Sequence, residues 1–163
     1  MENLAIIRSK IFNREDFQPK RHVWRFRKQK VVFTNGCFDL LHPGHIHYLA
    51  KAADYGDHLV VGINSDRSVQ RIKGANRPVK DETTRSTILA ALHFVDAVLI
   101  FDEDTPYELI RFVEPDVLVK GGDYHENDIV GADFVRKNGG EISVIDLLEG
   151  HSSSDIMHKV RSG

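Results

Sequence analysis

Short apolar runs alternate with longer amphipathic segments over most of this chain. Five runs rich in β-branched residues lie at positions 31–34, 59–63, 97–101, 117–119 and 142–145. Strands that are apolar at nearly every position are typical of a parallel sheet whose two faces are both covered by helices. The pattern therefore predicts an α/β fold, with a doubly wound parallel sheet of five strands and helices on both faces.

The segments between these runs carry signals for helix starts and stops. Positions 105–108, Thr-Pro-Tyr-Glu, combine a capping box with a proline suited to the first helical turn. Asp81 or Glu82 is predicted to open a second helix. A third helix is predicted from about 127 to 138, where Gly139 closes it.

Residues 1–29 differ from the remainder, because they lack the alternating pattern and become basic around Trp24. A basic segment with aromatic residues could contact RNA, yet only a few charges are involved. The spacing of Val23, Trp24 and Phe26 fits an element that packs on the domain or on another subunit. We therefore predict an N-terminal helical packing extension at 1–29, followed by one domain at 30–163.

Composition limits the class of protein. A chain of 163 residues that is 41% hydrophobic suits one domain with a single sizeable core. Its 22 Lys and Arg residues nearly balance 24 Asp and Glu residues, so no overall positive field favours nucleic-acid binding. The single cysteine, Cys37, excludes an intramolecular disulfide and fits a reducing compartment. With no membrane-spanning apolar run and no signal peptide, we predict a cytoplasmic protein without membrane association.

The most informative segment is 34–45, T-N-G-C-F-D-L-L-H-P-G-H, which directly follows the first apolar run. It predicts a strand, a phosphate-binding loop and a helix start in that order. Pro43 suits the first helical turn, and Gly44 keeps side-chain bulk away from a ligand above it. Backbone N–H groups and the positive end of the helix dipole would then point at one spot beside His42 and His45, which predicts an anion site.

The two histidines also have simpler interpretations. A histidine on a helix is most often a satisfied surface or core residue, and a zinc pair would need a third ligand and usually a spacing of four. Cys37 is more easily explained as a small thiol packed in the loop than as a nucleophile, since no base partner is evident. The location of the histidines at the first strand–helix junction, where open α/β sheets bind ligands, favours a functional role.

A basic loop follows the second predicted strand. It contains Lys73, Arg77 and Lys80, and Arg85 lies on the next helix. A solvated basic loop is one interpretation. The alternative is a lid, because glycine, asparagine and proline leave the loop little core to bury. Its cations could then clamp a phosphorylated acceptor, with forked contacts from arginine and point-charge contacts from lysine.

Two further segments follow strands. At 117–124, V-L-V-K-G-G-D-Y, a strand runs into glycines, which indicates either a plain turn or the edge of a pocket that Asp123 would face. At 149–156, E-G-H-S-S-S-D-I, three hydroxyls lie at a predicted helix start, where Ser152 or Ser153 can serve as the N-cap.

The segment 34–45 resembles the G-x-F-D-x-x-H-x-G-H signature of the cytidylyltransferase-like nucleotidyltransferases, which transfer a nucleotidyl group from a nucleoside triphosphate to a phosphate monoester. The segment 149–156 is similar to their second signature, E-G-x-S-T-[ST], whose hydroxyls and amides hold the outgoing phosphates. Together with V-K-G-G-D-Y, these motifs resemble the heptose 1-phosphate adenylyltransferases of lipopolysaccharide core synthesis, over nearly everything after residue 30. The resemblance implies a Rossmann-like nucleotidyltransferase fold that transfers AMP from ATP to heptose 1-phosphate.

The resemblance also implies roles for individual residues. The catalytic residues would be His42, His45 and Lys73. The nucleotide would be bound by Asn35, Gly36, Cys37, Phe38, Gly44, Arg85, Lys120, Gly121, Ser152, Ser153 and Ser154. The acceptor would be bound by Asp39, Asn64, Arg77 and Asp123. Mg²⁺ is expected with ATP, because it prefers phosphate oxygens, and no protein metal site is assigned.

The implied partners are ATP and a sugar phosphate. Many members of the family carry a fused sugar kinase, so we expect a separate heptose kinase to supply the substrate of this chain, and we expect a homodimer. Two alternatives remain open. Within the class, the acceptor could be glycerol 3-phosphate or another polyol phosphate and the nucleotide CTP. Outside it, the chain could be a catalytically silent nucleotide-binding module.

Overall fold

The computed structural model describes residues 2–122, 124–125 and 128–148. Its strands are β1 (Ile11–Phe12), β2 (Val31–Gly36), β3 (His58–Asn64), β4 (Ala97–Phe101), β5 (Val117–Gly121) and β6 (Glu141–Ile145). They form one parallel sheet in the order β1-β4-β3-β2-β5-β6. The predicted α/β fold with a doubly wound parallel sheet is confirmed, although the described part of the chain has six strands and the pattern predicted five. The additional strand, β1, is two residues long and therefore too short to show an apolar pattern.

Seven helices lie within the described residues. They are α1 (Asn3–Arg8), α2 (Arg14–Phe26), α3 (Pro43–Ala53), α4 (Asp66–Lys73), α5 (Glu82–Ala90), α6 (Tyr107–Val113) and α7 (Ala132–Lys137). None of these helices is long and apolar enough to cross a membrane.

The predicted helix starts agree with the structure in part. Asp81 is the N-cap of α5, and its side chain accepts a hydrogen bond from the Thr84 N–H, as predicted. The predicted capping box before α6 is wrong, because the N-cap is Pro106 and no side chain caps that helix. The third predicted helix begins later than expected, at Ala132, since Gly131 before it has a φ of 85°.

Helices cover both faces of the sheet, and alternate strand residues face opposite ways. On one face, helices α2, α6 and α7 bury a core cluster that includes Phe17, Phe33 and Leu109. On the other face, helices α3 and α5 bury a second cluster that includes Leu49 and Leu89. Both faces of the strands are therefore apolar, which explains the nearly continuous apolar runs in the sequence.

The N-terminal segment packs closely on the first of these clusters. Phe17 is fully buried, Trp24 is only 5% exposed, and Trp24 stacks on the ring of His58 at a centroid distance of 4.1 Å. By contrast, Phe26 is 90% exposed. Strand β1 also extends the sheet by pairing with β4, so this segment contributes both a strand and a core helix.

Aspartate side chains cap the amino ends of the central strands. The Val31 N–H donates to Asp116 Oδ2 at 2.7 Å, and the Leu59 N–H donates to Asp96 Oδ2 at 2.9 Å. Because backbone N–H groups at strand starts otherwise lack partners, these bonds fix the amino end of the sheet, opposite His42 and His45.

Candidate active site

The predicted anion-binding loop lies at the carboxyl ends of β2 and β5. Strands β3 and β4, which follow β2 in sequence, lie on one side of it, and β5 and β6 lie on its other side. Ligands of open α/β sheets bind in the crevice at such a switch point. Two side chains bridge the strands there: Lys120 Nζ donates to Asn35 Oδ1 at 2.6 Å, and the Tyr48 hydroxyl lies 2.6 Å from Thr34 Oγ1 and donates to the Val119 carbonyl at 3.2 Å.

A cleft of about 210 Å³ opens above these strand ends. Residues that were predicted for the site form most of its lining: Asn35, Gly36, Cys37, Phe38, Asp39, His45, Lys73, Lys120 and Gly121. Three residues were not predicted for the site: Tyr48, Tyr124 and Leu147. The structure therefore brings the end of β2, the loop 37–39, the start of α3, the end of α4 and the end of β5 to one cavity.

The start of α3 forms one wall of the cleft. His42 is the N-cap residue in an extended conformation, and Pro43 occupies the first helical turn, as predicted. The N–H of His45 donates to the His42 carbonyl at 2.9 Å. Gly44 is buried beside them. His42 itself lines a separate apolar hollow, together with Leu41, Pro43, Ile46 and His47.

His45 is held in the cleft as a neutral ring. Its imidazole stacks on that of His42, and the edge of Phe38 meets it at a centroid distance of 5.3 Å. The pKa of His45 is lowered from 6.5 to about 4, mainly by burial and in addition by the charges of His42 and Lys73, while a hydrogen bond to the Leu40 backbone opposes the shift. At pH 7 the free protein therefore presents His45 as an uncharged ring.

Two lysines bring positive charge to the cleft. Burial lowers the pKa of Lys120 from 10.5 to about 8, while the nearby thiol of Cys37 opposes the shift. Lys73 is the last residue of α4, which ends at Gly74 with a φ of 97°. Its side chain is more exposed than that of Lys120 and lines the cleft. A half-buried and an exposed ammonium group are thus available to a phosphorylated ligand.

Cys37 and Asn64 lie next to each other. The Cys37 thiol is 3.7 Å from Asn64 Oδ1, and Asn64 Nδ2 donates to Ser68 Oγ at 3.0 Å. Asn64 is buried and does not line the cleft. The structure therefore places it behind the loop that follows β2, where its amide oxygen contacts the thiol.

Asp39, predicted to bind the acceptor, lines the cleft, but its carboxylate is directed at the basic loop. The N–H groups of Val79 and Lys80 donate to Asp39 Oδ1 at 2.9 and 3.0 Å. Arg77 Nε lies 2.9 Å from Asp39 Oδ2. The carboxylate is thus engaged within the protein, and Arg77 is paired with it instead of lining the cleft.

Arg85, predicted to reach the nucleotide phosphates, is completely buried. Its guanidinium donates to the Lys80 carbonyl at 3.0 Å, to the Cys37 carbonyl at 2.8 Å and to Asp66 Oδ1 at 2.7 Å. Arg85 therefore lies beneath the loop that contains Cys37 and does not line the cleft.

Some predicted site residues lie outside the described part of the chain. They are Asp123, Ser152, Ser153 and Ser154. Within the described residues, no group of three His, Cys, Asp or Glu side chains is arranged to hold a metal ion.

The residues that sequence reasoning missed come from distant positions. Gly121 allows Leu147 and Tyr48 to pack closely against the end of β5, because a Cβ atom at position 121 would lie 2.8 Å from Leu147 Cδ2 and 3.0 Å from Tyr48 Cε2. The sequence could have identified Tyr48 as a site residue, since it follows His45 by three positions and therefore lies on the same helical face. No feature of the sequence identifies Leu147, because only the pairing of β5 with β6 brings it to the cleft.

Comparisons with known proteins agree with this geometry. Residues 33–158 match the family model described as cytidylyltransferase-like. The chain therefore belongs to the cytidylyltransferase-like family.

Among curated proteins, it is 51% identical over 152 residues to the bifunctional protein HldE of Wolinella succinogenes and 52% identical over 139 residues to that of Gluconobacter oxydans. These matches cover 93% and 85% of this chain but only 31% and 29% of the relatives, so the chain spans about a third of their length.

Solved structures with a similar fold include the following two. A lipopolysaccharide core biosynthesis protein from Thermoplasma volcanium is 29% identical with a TM-score of 0.61, over 76% of this chain and 99% of that one. Pantoate-beta-alanine ligase from Francisella tularensis also has a TM-score of 0.61, at 19% identity over 93% of this chain and 76% of that one, and supports the fold alone.

Proposed function

We propose that this domain transfers the AMP group of ATP to the phosphate of a heptose 1-phosphate, giving ADP-heptose and pyrophosphate. One observation carries the proposal: the start of α3, His45, Lys73 and Lys120 converge on one cleft at the switch point of the sheet. The choice of ATP and a heptose phosphate rests on the sequence motifs and on the similarity to HldE proteins and to a lipopolysaccharide core biosynthesis protein.

The reaction needs no general base. An oxygen of the acceptor phosphate, already ionised at pH 7, forms a bond to the α-phosphorus of ATP, and the bond from that phosphorus to the bridging oxygen of pyrophosphate breaks. Catalysis then consists of holding two anions in line and stabilising the charge that develops. We assign this stabilisation to the N-terminal dipole of α3, to the imidazole N–H of His45 and to the ammonium groups of Lys73 and Lys120.

The other predicted residues divide by position. We propose that the nucleotide lies over the glycines and backbone of the loop, with contacts from Asn35, Gly36, Cys37, Phe38, Gly44 and Gly121. His42 orients His45 by stacking. Contacts of the leaving pyrophosphate with Ser152, Ser153 and Ser154, and of the acceptor with Asp123, remain predictions from the motifs.

Magnesium is proposed as an ion carried by the phosphates of ATP, whose charge it neutralises. The described residues offer no cluster of three ligands, and the carboxylate of Asp39 is already engaged. We therefore assign no protein ligand to the ion.

The acceptor must be made by phosphorylation of the sugar, so we propose that a heptose kinase supplies this domain. We also propose a homodimer and a location in the cytoplasm. Light scattering on the purified protein tests the first of these two, and cell fractionation tests the second.

Labelled ATP tests the reaction. With heptose 1-phosphate present, label from [α-³²P]ATP should appear in a sugar nucleotide, and label from [γ-³²P]ATP only in pyrophosphate. Label from the γ position in the sugar product would indicate a kinase, and bound but unchanged ATP would indicate a silent nucleotide-binding module.

A further inference from the structure

Two buried side chains hold the backbone of Lys80 from opposite sides. Asp39 Oδ1 accepts from the Lys80 N–H at 3.0 Å, and Arg85 Nε donates to the Lys80 carbonyl at 3.0 Å. The Val79 N–H also donates to Asp39 Oδ1, at 2.9 Å. The segment that follows Arg77 is thus fixed through its backbone, whatever its side chains do.

The same two side chains tie this segment to α4 and to the loop after β2, which contains Cys37 and Asp39. Asp39 belongs to the loop, and Arg85 Nη1 donates to the carbonyl of Cys37 at 2.8 Å. Arg85 Nη2 donates to Asp66 Oδ1 at 2.7 Å, at the start of α4. Asp39 and Arg85 together are called the clasp here, because they join three segments that are distant in sequence.

Both charged groups of the clasp are buried and paired within the protein. The side chain of Asp39 is 1% exposed and that of Arg85 is 0% exposed. Hydrogen bonds between charged side chains and backbone groups are strong and directional, and removing one partner of a buried set leaves the others unsatisfied. These contacts therefore fix the geometry around the cleft.

The residue that this geometry positions is Lys73. Helix α4 is held at its start by the contact of Asp66 with Arg85, and the chain after Lys73 is held again at Val79 and Lys80. Between these two anchors, Lys73 ends the helix and lines the cleft, close enough for its charge to lower the pKa of His45.

We propose that Asp39 and Arg85 are positioning residues, an inference that rests on the proposed function: they keep the Lys73 ammonium at the cleft and contact neither substrate. Asp39 is therefore reassigned from the acceptor, and Arg85 from the nucleotide phosphates, to the scaffold that carries Lys73.

A double-mutant cycle tests this coupling. Asp39→Asn keeps the shape but removes the charge, and it should lower kcat/KM by about 10- to 100-fold, as small misplacements of catalytic groups do. Lys73→Ala should cost a similar factor. If Asp39 acts through Lys73, the double variant should stay within about twofold of Lys73→Ala, because coupled effects are not additive. If the two losses in kcat/KM instead multiplied in the double variant, the proposal would be overturned.

Asp96→Asn is the matched control, because this carboxylate also accepts from a backbone N–H but lies at the opposite edge of the sheet. It should leave kcat/KM unchanged. Arg85→Lys keeps one charge but loses the fork, so it should show the same coupling to Lys73→Ala as Asp39→Asn.

Amide hydrogen exchange gives a readout that needs no activity. Asp39→Asn should raise the exchange rates of the Val79 and Lys80 amides by about tenfold or more, whereas Asp96→Asn should not. Unchanged exchange rates of the Val79 and Lys80 amides would show that Asp39 does not hold this segment. If the wild-type protein transferred no AMP, the proposed function would fail, and the exchange rates would still decide whether the clasp holds the segment.

Discussion

The imidazole rings of His42 and His45 stack with their centroids 3.8 Å apart and their planes inclined by 25°. His42 is the N-cap residue of α3 and His45 lies in the first turn, which brings the two rings together. Phe38 contacts the ring of His45 as well. His45 is therefore fixed before any ligand binds, which is what a donor to a developing charge requires.

His45→Ala should lower kcat by a factor on the order of 10² to 10³, the usual loss when one preorganised donor is removed. ATP affinity should change less, since such donors contribute most when the α-phosphorus becomes five-coordinate. The measurement is steady-state kcat beside ATP affinity from calorimetry.

His47→Ala is the control, because His47 is an exposed histidine on the same helix that does not line the cleft. The kcat and the ATP affinity of this variant should equal those of the wild type. If ATP affinity collapsed in His45→Ala while kcat stayed within about twofold, His45 would be a ground-state anchor and the mechanism would be wrong.

The ring of His45 should titrate at an unusually low pH. Its pKa in the folded protein is about 4, compared with 6.5 in the unfolded chain. The unfolded chain therefore binds this proton first, so the contribution of His45 lowers stability as the pH falls from about 6.5 towards 4. A histidine NMR titration should assign a pKa well below 6 to His45 in the free protein, and a value near 6.5 would contradict the buried, stacked environment.

Lys120 should give the reaction an alkaline limit. Because burial lowers its pKa to about 8, its positive charge is largely lost between pH 7 and 9. We expect kcat/KM for ATP to fall about tenfold over this range. Lys120→Arg keeps its charge and should abolish the decline, so an unchanged alkaline limb in this variant would point to another group.

The same shift predicts a stability trend with a defined sign. Below about pH 8 both states carry the proton, and the buried charge of Lys120 disfavours folding. Between about pH 8 and 10.5 the folded protein loses the proton before the unfolded chain does. The contribution of Lys120 therefore makes the free energy of unfolding rise over this range.

Helix α2 should be a stabilising part of the domain. Trp24→Ala removes a ring that is 5% exposed and stacked on His58, so the free energy of unfolding should fall by about 3–5 kcal/mol. Phe26→Ala on the same helix removes a ring that is 90% exposed and should change stability by less than about 0.5 kcal/mol. Urea unfolding compares the two, and equal losses would show that α2 does not pack as described.

Local signals made the start of α3 predictable from the sequence. Pro43 and Gly44 determine the helix start through their own backbone preferences, so the position of His45 in the first turn followed without knowledge of the fold. The separate hollow that His42 lines could not be foreseen in this way. Strand β1 could not be predicted, because two residues carry no periodicity and only pairing with β4 defines the strand.

The partners of buried charges could not be predicted in the same way. The sequence identifies Asp39 and Arg85 as charged residues near a phosphate-binding motif, which favours ligand contacts. Arg85 bonds to a carbonyl 48 positions away and Asp39 to an amide 41 positions away. Only the folded backbone shows that these charges are satisfied internally.

The most direct test of the proposed function is pyrophosphate release over a grid of nucleoside triphosphates and acceptor phosphates. The grid should include ATP and CTP, and heptose 1-phosphate in both anomeric forms beside glycerol 3-phosphate. We predict the highest kcat/KM for ATP with a heptose 1-phosphate, and its loss in His45→Ala. A clear preference for CTP with glycerol 3-phosphate, or release that does not depend on His45, would contradict the account.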